Sequence, residues 1–245
     1  MAIKQLTMIS GFALLALILL AAGPVPSANS APGSTVLGRV KFEGTVPKPV
    51  PINMAADPTC AKQHETRATS EDFVPGVNGT LENVVVFISD GLGNRNFDVP
   101  TEPVRVEQKG CMYKPHVLAV RANQPLELVN SDSTVHNIHP IPANNREWNK
   151  SETPGLHVEE TFAREEIAIP VKCNIHPWMR GYIAVFKHPF FSVTGKDGSF
   201  DLKGLPPGEY TISAWHEKLG TLTQRVTVTA GETKSIDFVF KNHGG

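Results

Sequence analysis

The sequence predicts an all-β protein made of sandwich-type units. Twenty glycines and twenty prolines are spread through the 245 residues, as in turn-rich β proteins. Short apolar segments alternate with polar residues, and no long segment has the 3.6-residue period of a helix. The net charge of −1 and the 19% of charged residues exclude a basic nucleic-acid-binding protein and an acidic disordered chain.

The N-terminal residues have the pattern of an export signal. Lys4 precedes an apolar run over residues 12–22, and small residues follow over residues 28–31. The run is well short of the ~20 residues that span a bilayer as a helix. We therefore expect residues 1–31 to be a signal peptide and the mature protein to be periplasmic or secreted, without stable membrane insertion.

Six strands can be placed from apolar segments that end at turn residues. They cover residues 36–42, 83–89, 117–122, 126–130, 166–172 and 182–186. The long polar stretch of residues 53–79 between the first two is expected to be an insertion or loop. After residue 191, alternating apolar residues separated by tight turns predict a further sandwich.

Four residues with metal-binding side chains stand in a spacing that indicates copper. Cys173, His176 and Met179 form a C-x2-H-x2-M motif, and His136 follows an apolar strand upstream. A thiolate, two imidazoles and a weak axial thioether suit copper that transfers electrons, because this donor set can hold both Cu(II) and Cu(I). We expect one type 1 copper per chain.

Each of these residues also has an ordinary structural interpretation. Cys173 can be half of a disulfide or a buried thiol, the two histidines can be hydrogen-bonded core residues, and Met179 can fill the core. The joint spacing is what favours a metal site. His139 lies three residues after His136, on the opposite face of an extended strand, and is not expected to be a ligand.

The motif resembles the ligand loop of blue copper proteins of the cupredoxin family, of the amicyanin and plastocyanin type. Residues 173–181, CNIHPWMRG, are similar to that loop, and residues 135–138, VHNI, are similar to its upstream ligand segment. The likeness extends over residues 103–187. It implies a Greek-key β-sandwich that binds copper through the four residues named above.

Three further site residues follow from the same resemblance. Asn137 would hydrogen-bond between the two ligand-bearing loops. Pro177 and Trp178, beside His176, would form the surface through which electrons are exchanged. Trp178 can equally be a residue that caps the core.

A second resemblance covers the C-terminal part. Residues 194–220, which include DGSF and LPPGEY, resemble the carboxypeptidase regulatory-like domain of transthyretin-like topology. Residues 38–44 and 84–88 resemble the opening strands of the same domain. The cupredoxin sandwich would then lie next to a smaller transthyretin-like sandwich, or be inserted into it.

The expected domain boundaries follow from these two resemblances. Residues 34–99 would hold N-terminal strands of the transthyretin-like domain and the long loop. Residues 103–187 would be the cupredoxin domain, and residues 189–241 the remainder of the carboxypeptidase regulatory-like domain. Glu217 beside His216 is a pair that can do acid–base chemistry, but an exposed turn after Trp215 is the favoured interpretation.

The chain has three cysteines, an odd number. A disulfide between Cys60 and Cys111 would leave Cys173 as the free thiol that a copper site needs. Exported cysteines are usually oxidised, which favours this pairing. The alternative is a second metal site made of Cys60, Cys111, His64 and His116.

The leading functional prediction is an exported one-electron carrier that cycles between Cu(II) and Cu(I) and is not an enzyme. Its partners would be redox proteins such as a dehydrogenase, a cytochrome or an oxidase, with no nucleic acid involved. One alternative is a carbohydrate- or protein-binding module of transthyretin-like fold, for which Tyr210 and Trp215 are the available aromatic residues. The other is copper storage or delivery with the same ligands.

Overall fold

The computed structural model describes residues 33–241. The expected signal peptide, residues 1–31, lies outside the described residues. No helix within residues 33–241 is both long enough and apolar enough to cross a membrane. The only α-helix in that range is α1 (Pro58–Ala61).

Strands make up nearly half of the described chain and helices very little of it, so the all-β prediction is confirmed. In chain order they are β1 (Ser34–Glu43), β2 (Val85–Asp90), β3 (Val104–Gln108), β4 (Tyr113–Lys114), β5 (Val117–Arg121), β6 (Leu126–Asn130), β7 (His136–Pro140), β8 (Lys150–Glu152), β9 (His157–Glu160), β10 (Glu166–Lys172), β11 (Arg180–Phe186), β12 (Phe191–Val193), β13 (Ser199–Leu205), β14 (Gly208–His216), β15 (Gly220–Val228), β16 (Thr233–Ser235) and β17 (Phe238–Lys241). The six strands expected from the sequence correspond to β1, β2, β5, β6, β10 and β11.

The first sandwich takes its strands from both ends of the described chain. One sheet has the order β13-β1-β16, with β17 also paired to β1, and the other has the order β12-β2-β14-β15. Val36 and Val40 of β1 pack against residues such as Leu202, Ile212 and Phe238 in one buried cluster. Every second side chain of a strand points to the same face, which is why this alternation produces a core.

The second sandwich lies between these N- and C-terminal strands in sequence. Its sheets have the orders β5-β11-β10-β7-β8 and β4-β3-β6-β9. Val106 and Leu128 of the second sheet share a buried core with Val120, Ile169 and Ile183 of the first. The sheets therefore pack face to face, and the loops that follow β6 and β10 belong to this sandwich.

A third apolar cluster joins the two sandwiches. Phe87 of β2 packs with Val117 of β5 and Phe186 of β11, and all three are buried. Next to this cluster, His116 is hydrogen-bonded to Glu217 in the turn between β14 and β15, and both side chains are buried. The expectation that His216 and Glu217 form an exposed turn is wrong. His216 is the buried last residue of β14, and the second sandwich covers Glu217.

Residues 53–79 form an irregular segment, called here the insertion, that is fastened to the second sandwich. Asp57 caps α1 by accepting hydrogen bonds from the backbone amides of Thr59 and Cys60, at 2.8 and 3.4 Å. Cys60 is buried in the core of the second sandwich and is disulfide-bonded to Cys111. The insertion is thereby held against the end of the sandwich that carries the expected copper ligands.

Candidate metal centre

The loop between β10 and β11, residues 173–179, is called here the ligand loop. The amide of Cys173 donates a hydrogen bond to the carbonyl of Met179 at 3.2 Å, and the amide of Met179 donates to the carbonyl of His176 at 2.9 Å. These bonds close the loop on itself. As a result, Cys173, His176 and Met179 lie together at one end of the sheet.

His136 reaches the same place from the neighbouring strand. It is the first residue of β7, which pairs antiparallel with β10, so that His139 lies opposite Lys172 at the strand ends. Asn137 joins the two segments, because its Oδ1 accepts a hydrogen bond from the amide of Asn174 at 2.7 Å and lies 3.4 Å from the Sγ of Cys173. The structure thus places Asn137 between the ligand-bearing loops.

Three of the four expected ligands present their donor atoms to one another. The Nδ1 atoms of His136 and His176 are 2.9 Å apart, and the Sγ of Cys173 is 3.8 Å from the Nδ1 of His176. All three donor atoms lie within 4.8 Å of one another. Met179, the expected weak ligand, is 1% exposed in the same buried cluster. This thiol, imidazole and thioether set fits copper rather than a hard cation such as calcium or magnesium.

The outer nitrogen of His136 is held by a carboxylate. Its Nε2 lies 2.8 Å from Oδ2 of Asp132, and the two carboxylate oxygens of Asp132 accept hydrogen bonds from the amides of Gly110 and Cys111, each at 2.7 Å. Asp132 and His136 are both buried. A carboxylate on Nε2 fixes the tautomer in which Nδ1 is free to bind a metal.

The outer nitrogen of His176 is held in the same way by a residue of the insertion. Its Nε2 lies 3.0 Å from Oδ2 of Asp57 and 3.7 Å from the Sγ of Cys60. His176 is only 2% exposed. The two histidines therefore both point Nδ1 toward Cys173 and Nε2 toward an aspartate.

These contacts change the proton affinities of the metal-binding residues. Burial disfavours the charged form of His136, but hydrogen bonds to Asp132 and Cys173 outweigh it and raise the pKa of His136 to about 9. Burial also acts to raise the pKa of the Cys173 thiol, whereas hydrogen bonds from His136 and backbone amides bring that pKa below its usual value. His136 thus holds a proton in the metal-free cluster, and a bound cation would take the place of that proton.

Cys60 and Cys111 form a disulfide with an S–S distance of 2.00 Å, and Cys173 is a free, buried cysteine. The structure does not bring together the alternative second metal site. His64 instead contacts the carbonyl of Gly110 through Nε2 at 2.8 Å. His116 is paired with Glu217, in the turn between β14 and β15.

Trp178 and Pro177 lie at the outer side of the ligand loop. The ring centroids of Trp178 and His176 are 5.0 Å apart, and Nε1 of Trp178 donates to the carbonyl of Cys111 at 3.2 Å. Trp178 is half-buried against the core, whereas Pro177 is exposed. His139 lies outside the donor cluster. Its Nε2 is 2.6 Å from Oε1 of Glu147, and its Nδ1 is 3.2 Å from Oδ1 of Asn174.

Sequence reasoning did not find the carboxylates around this site. Asp132 stands four residues before His136, a spacing that could have suggested a local pair. Asp57 is 119 residues away from His176 and carried no such signal. Glu152, opposite His136 on β8 and fully buried, was also missed; burial raises its pKa to about 7.

Comparisons with known proteins give one family-model match and several similar solved structures. Residues 186–241 match the family model of the carboxypeptidase regulatory-like domain. Among solved structures, a purple cupredoxin from Nitrosopumilus maritimus is similar, with 24% identity and a TM-score of 0.29. The similarity covers 33% of this chain and 97% of the cupredoxin. An oxidised amicyanin variant is also similar, with 19% identity and a TM-score of 0.32. The similarity covers 41% of this chain and 97% of the amicyanin.

A copper-containing nitrite reductase from Thermus scotoductus is also similar, with 23% identity and a TM-score of 0.33. That likeness covers 38% of this chain and 26% of the reductase, so the chain spans about a quarter of that protein. No curated protein matches the sequence. The predicted carboxypeptidase regulatory-like part is supported by the family model over residues 186–241.

Proposed function

We propose that this protein is an exported type 1 copper-binding protein that carries single electrons between redox partners. The observation that supports this most directly is the buried convergence of the Sγ of Cys173 with the Nδ1 atoms of His136 and His176. Met179, the proposed weak fourth ligand, lies in the same buried cluster as Cys173. One copper per chain, when bound, would supply the Cu(II)/Cu(I) couple.

The residues around this cluster are arranged to keep the ligands in place when the oxidation state changes. Asp132 and Asp57 hold the outer nitrogens of the two histidines, and Asn137 fixes the start of the ligand loop. Holding ligands by hydrogen bonds and packing reduces the rearrangement that accompanies a reaction at the metal. This favours electron transfer over catalysis on a substrate.

The partners we propose are proteins such as a dehydrogenase, a cytochrome or an oxidase. The net charge of −1 provides no strong field that would select a partner of one sign. Export to the periplasm or beyond is supported by the Cys60–Cys111 disulfide, because disulfides persist in oxidising compartments.

The proposed carrier function has more support than the binding-module alternative. A sugar-binding face would present exposed aromatic side chains, but Tyr210 is buried and Trp215 packs on Tyr182 with ring centroids 5.2 Å apart. Copper storage or delivery would use the same ligands as the carrier. It differs in how the protein responds to reduction, which can be measured.

The test is to add one equivalent of Cu(II) to the purified protein and record the visible spectrum. We expect an intense thiolate-to-copper charge-transfer band in the wild type and in His139→Gln, a histidine outside the cluster. The band should be absent from Cys173→Ser. A folded wild-type protein that binds Cu(II) without this band, or a band that persists in Cys173→Ser, would contradict the proposal.

A further inference from the structure

The insertion contributes a side chain to the surroundings of the metal centre. Asp57 precedes α1 and reaches the nitrogen of His176 that points away from the donor cluster, with Oδ2 3.0 Å from Nε2. This contact joins residues 119 positions apart. It depends on the path of the insertion over the end of the second sandwich and not on any local feature of the ligand loop.

The position of Asp57 is fixed from several sides. Its Oδ1 accepts hydrogen bonds from the first amides of α1, and the hydroxyl of Thr134 donates to its Oδ2 at 3.3 Å. Cys60 ties the same helix to Cys111, whose amide in turn donates to Asp132. The disulfide therefore joins two residues whose backbone amides donate hydrogen bonds to Asp57 and to Asp132, the aspartates that hold the two histidines.

The contact with Asp57 also determines how much of His176 meets solvent. Asp57 and the Sγ of Cys60 lie along the Nε2 edge of His176, and Trp178 covers one side of the ring. The imidazole is left 2% exposed although it belongs to a loop whose neighbouring residue, Ile175, is 51% exposed.

We propose that Asp57 is a positioning residue for the copper ligand His176, and that the insertion closes the outer edge of this ligand against solvent. This inference rests on the proposed function. An aspartate that accepts the Nε2 proton selects the tautomer whose Nδ1 can bind a metal, and it keeps that atom turned toward Cys173. The expected consequence is tight retention of copper.

The experiment compares three variants loaded with copper. Asp57→Ser keeps a good helix cap but removes the acceptor for His176. Asp57→Asn keeps both the cap and an acceptor and removes only the charge. Asp72→Asn is the matched control, because Asp72 lies in the same insertion but pairs with Lys218 at 2.9 Å and not with the site.

The first readout is the copper affinity, measured by competition with a chelator. Loss of an outer hydrogen-bond partner typically weakens metal binding about 10- to 100-fold. We expect a weakening in that range for Asp57→Ser, a smaller one for Asp57→Asn, and none for Asp72→Asn. The second readout is the Nε2 proton of His176 in proton NMR spectra of the Cu(I) protein.

That proton should be visible and slow to exchange with water in the wild type, in Asp57→Asn and in Asp72→Asn, and lost to exchange in Asp57→Ser. Backbone amide signals of Thr59 and Cys60 report whether the insertion stays folded. If the serine variant loosens the insertion, the near-isosteric Asp57→Asn decides, and wild-type affinity there overturns the proposal.

The failures of the two proposals are distinguishable. If the wild type gives no charge-transfer band, the proposed function fails. If the wild type gives the band and Asp57→Ser has wild-type affinity with a protected His176 proton, only the role of Asp57 is refuted.

Discussion

The two histidines of the candidate metal centre are held alike but by different parts of the molecule. Asp132 is four residues from His136, is buried within the second sandwich, and receives two backbone hydrogen bonds. Asp57 reaches His176 from the insertion, and its side chain is 22% exposed. The first arrangement is part of the sandwich core, whereas the second lies at the end of the sandwich and is fastened by a disulfide.

The difference means that the two arrangements should respond to different perturbations. Changes to the disulfide or the insertion should affect His176, and changes to the sandwich loops should affect His136. The first two of the following experiments separate them.

Removal of the disulfide should have the largest effect. Replacing both Cys60 and Cys111 by alanine opens a bridge with a sequence separation of 51. The free energy of unfolding of the metal-free protein should fall by about 4 kcal/mol in the chain-entropy model. Urea denaturation of the double variant and of oxidised wild type measures this. The NMR signal of the Nε2 proton should be lost for His176 and kept for His136; loss of both would show that the two arrangements are not independent.

Asp132→Ala should have the next largest effect. It leaves the amides of Gly110 and Cys111 and the Nε2 of His136 without their acceptor in a buried place. The free energy of unfolding should fall by about 3 kcal/mol, the upper part of the range for an unsatisfied buried group. Asp57→Ser, whose aspartate is partly exposed, should cost less than about 1 kcal/mol in the same denaturation experiment. Equal losses for the two variants would contradict the distinction.

A buried histidine that has no hydrogen-bonded carboxylate should make the free energy of unfolding fall at low pH. His216 lies among aromatic rings in the first sandwich, and burial lowers its pKa to about 4. Below pH 6.5 His216 is protonated in the unfolded chain but stays neutral in the folded protein, so the free energy of unfolding falls as the pH falls toward 4. At pH 5 this amounts to about 2 kcal/mol. His216→Phe should reduce the loss between pH 7 and pH 5, measured by urea denaturation; an unchanged loss would exclude His216 as its source.

The copper affinity should depend on pH through His136. Because its pKa is raised to about 9 in the folded metal-free protein, copper must displace a proton from it at lower pH. The affinity should therefore fall at least about tenfold for each unit of pH below 9, or about 1.4 kcal/mol per unit. Chelator competition at pH 6, 7 and 8 measures the slope. Asp132→Asn should flatten it, and an affinity that is constant over this range would contradict the proton displacement.

The sequence revealed the parts of the site that are close together in the chain. The C-x2-H-x2-M spacing located Cys173, His176 and Met179, and the apolar strand before His136 located the fourth residue. Asp57 could not be found, because its contact depends on how the insertion crosses the sandwich. Asp132 is only four residues from His136, so this contact is local enough for the sequence to indicate.

The fold shows a similar division. Strands with a clear apolar alternation, such as β1 and β10, were placed within two residues of their ends. Short strands rich in polar or charged residues, such as β8 and β9, were missed because their side chains lie at sheet edges where the alternation is weak. Burial of Glu217 depends on the contact between the two sandwiches, which no local pattern reveals.

The most direct test of the carrier proposal is a redox titration of the copper-loaded protein followed by its charge-transfer band. We predict a reversible one-electron transition of about 59 mV per tenfold change in the ratio of oxidised to reduced protein. The band should disappear on reduction and return fully on reoxidation, with copper retained throughout. Release of copper on reduction, or a band that does not return, would contradict the electron-carrier function and favour storage or delivery.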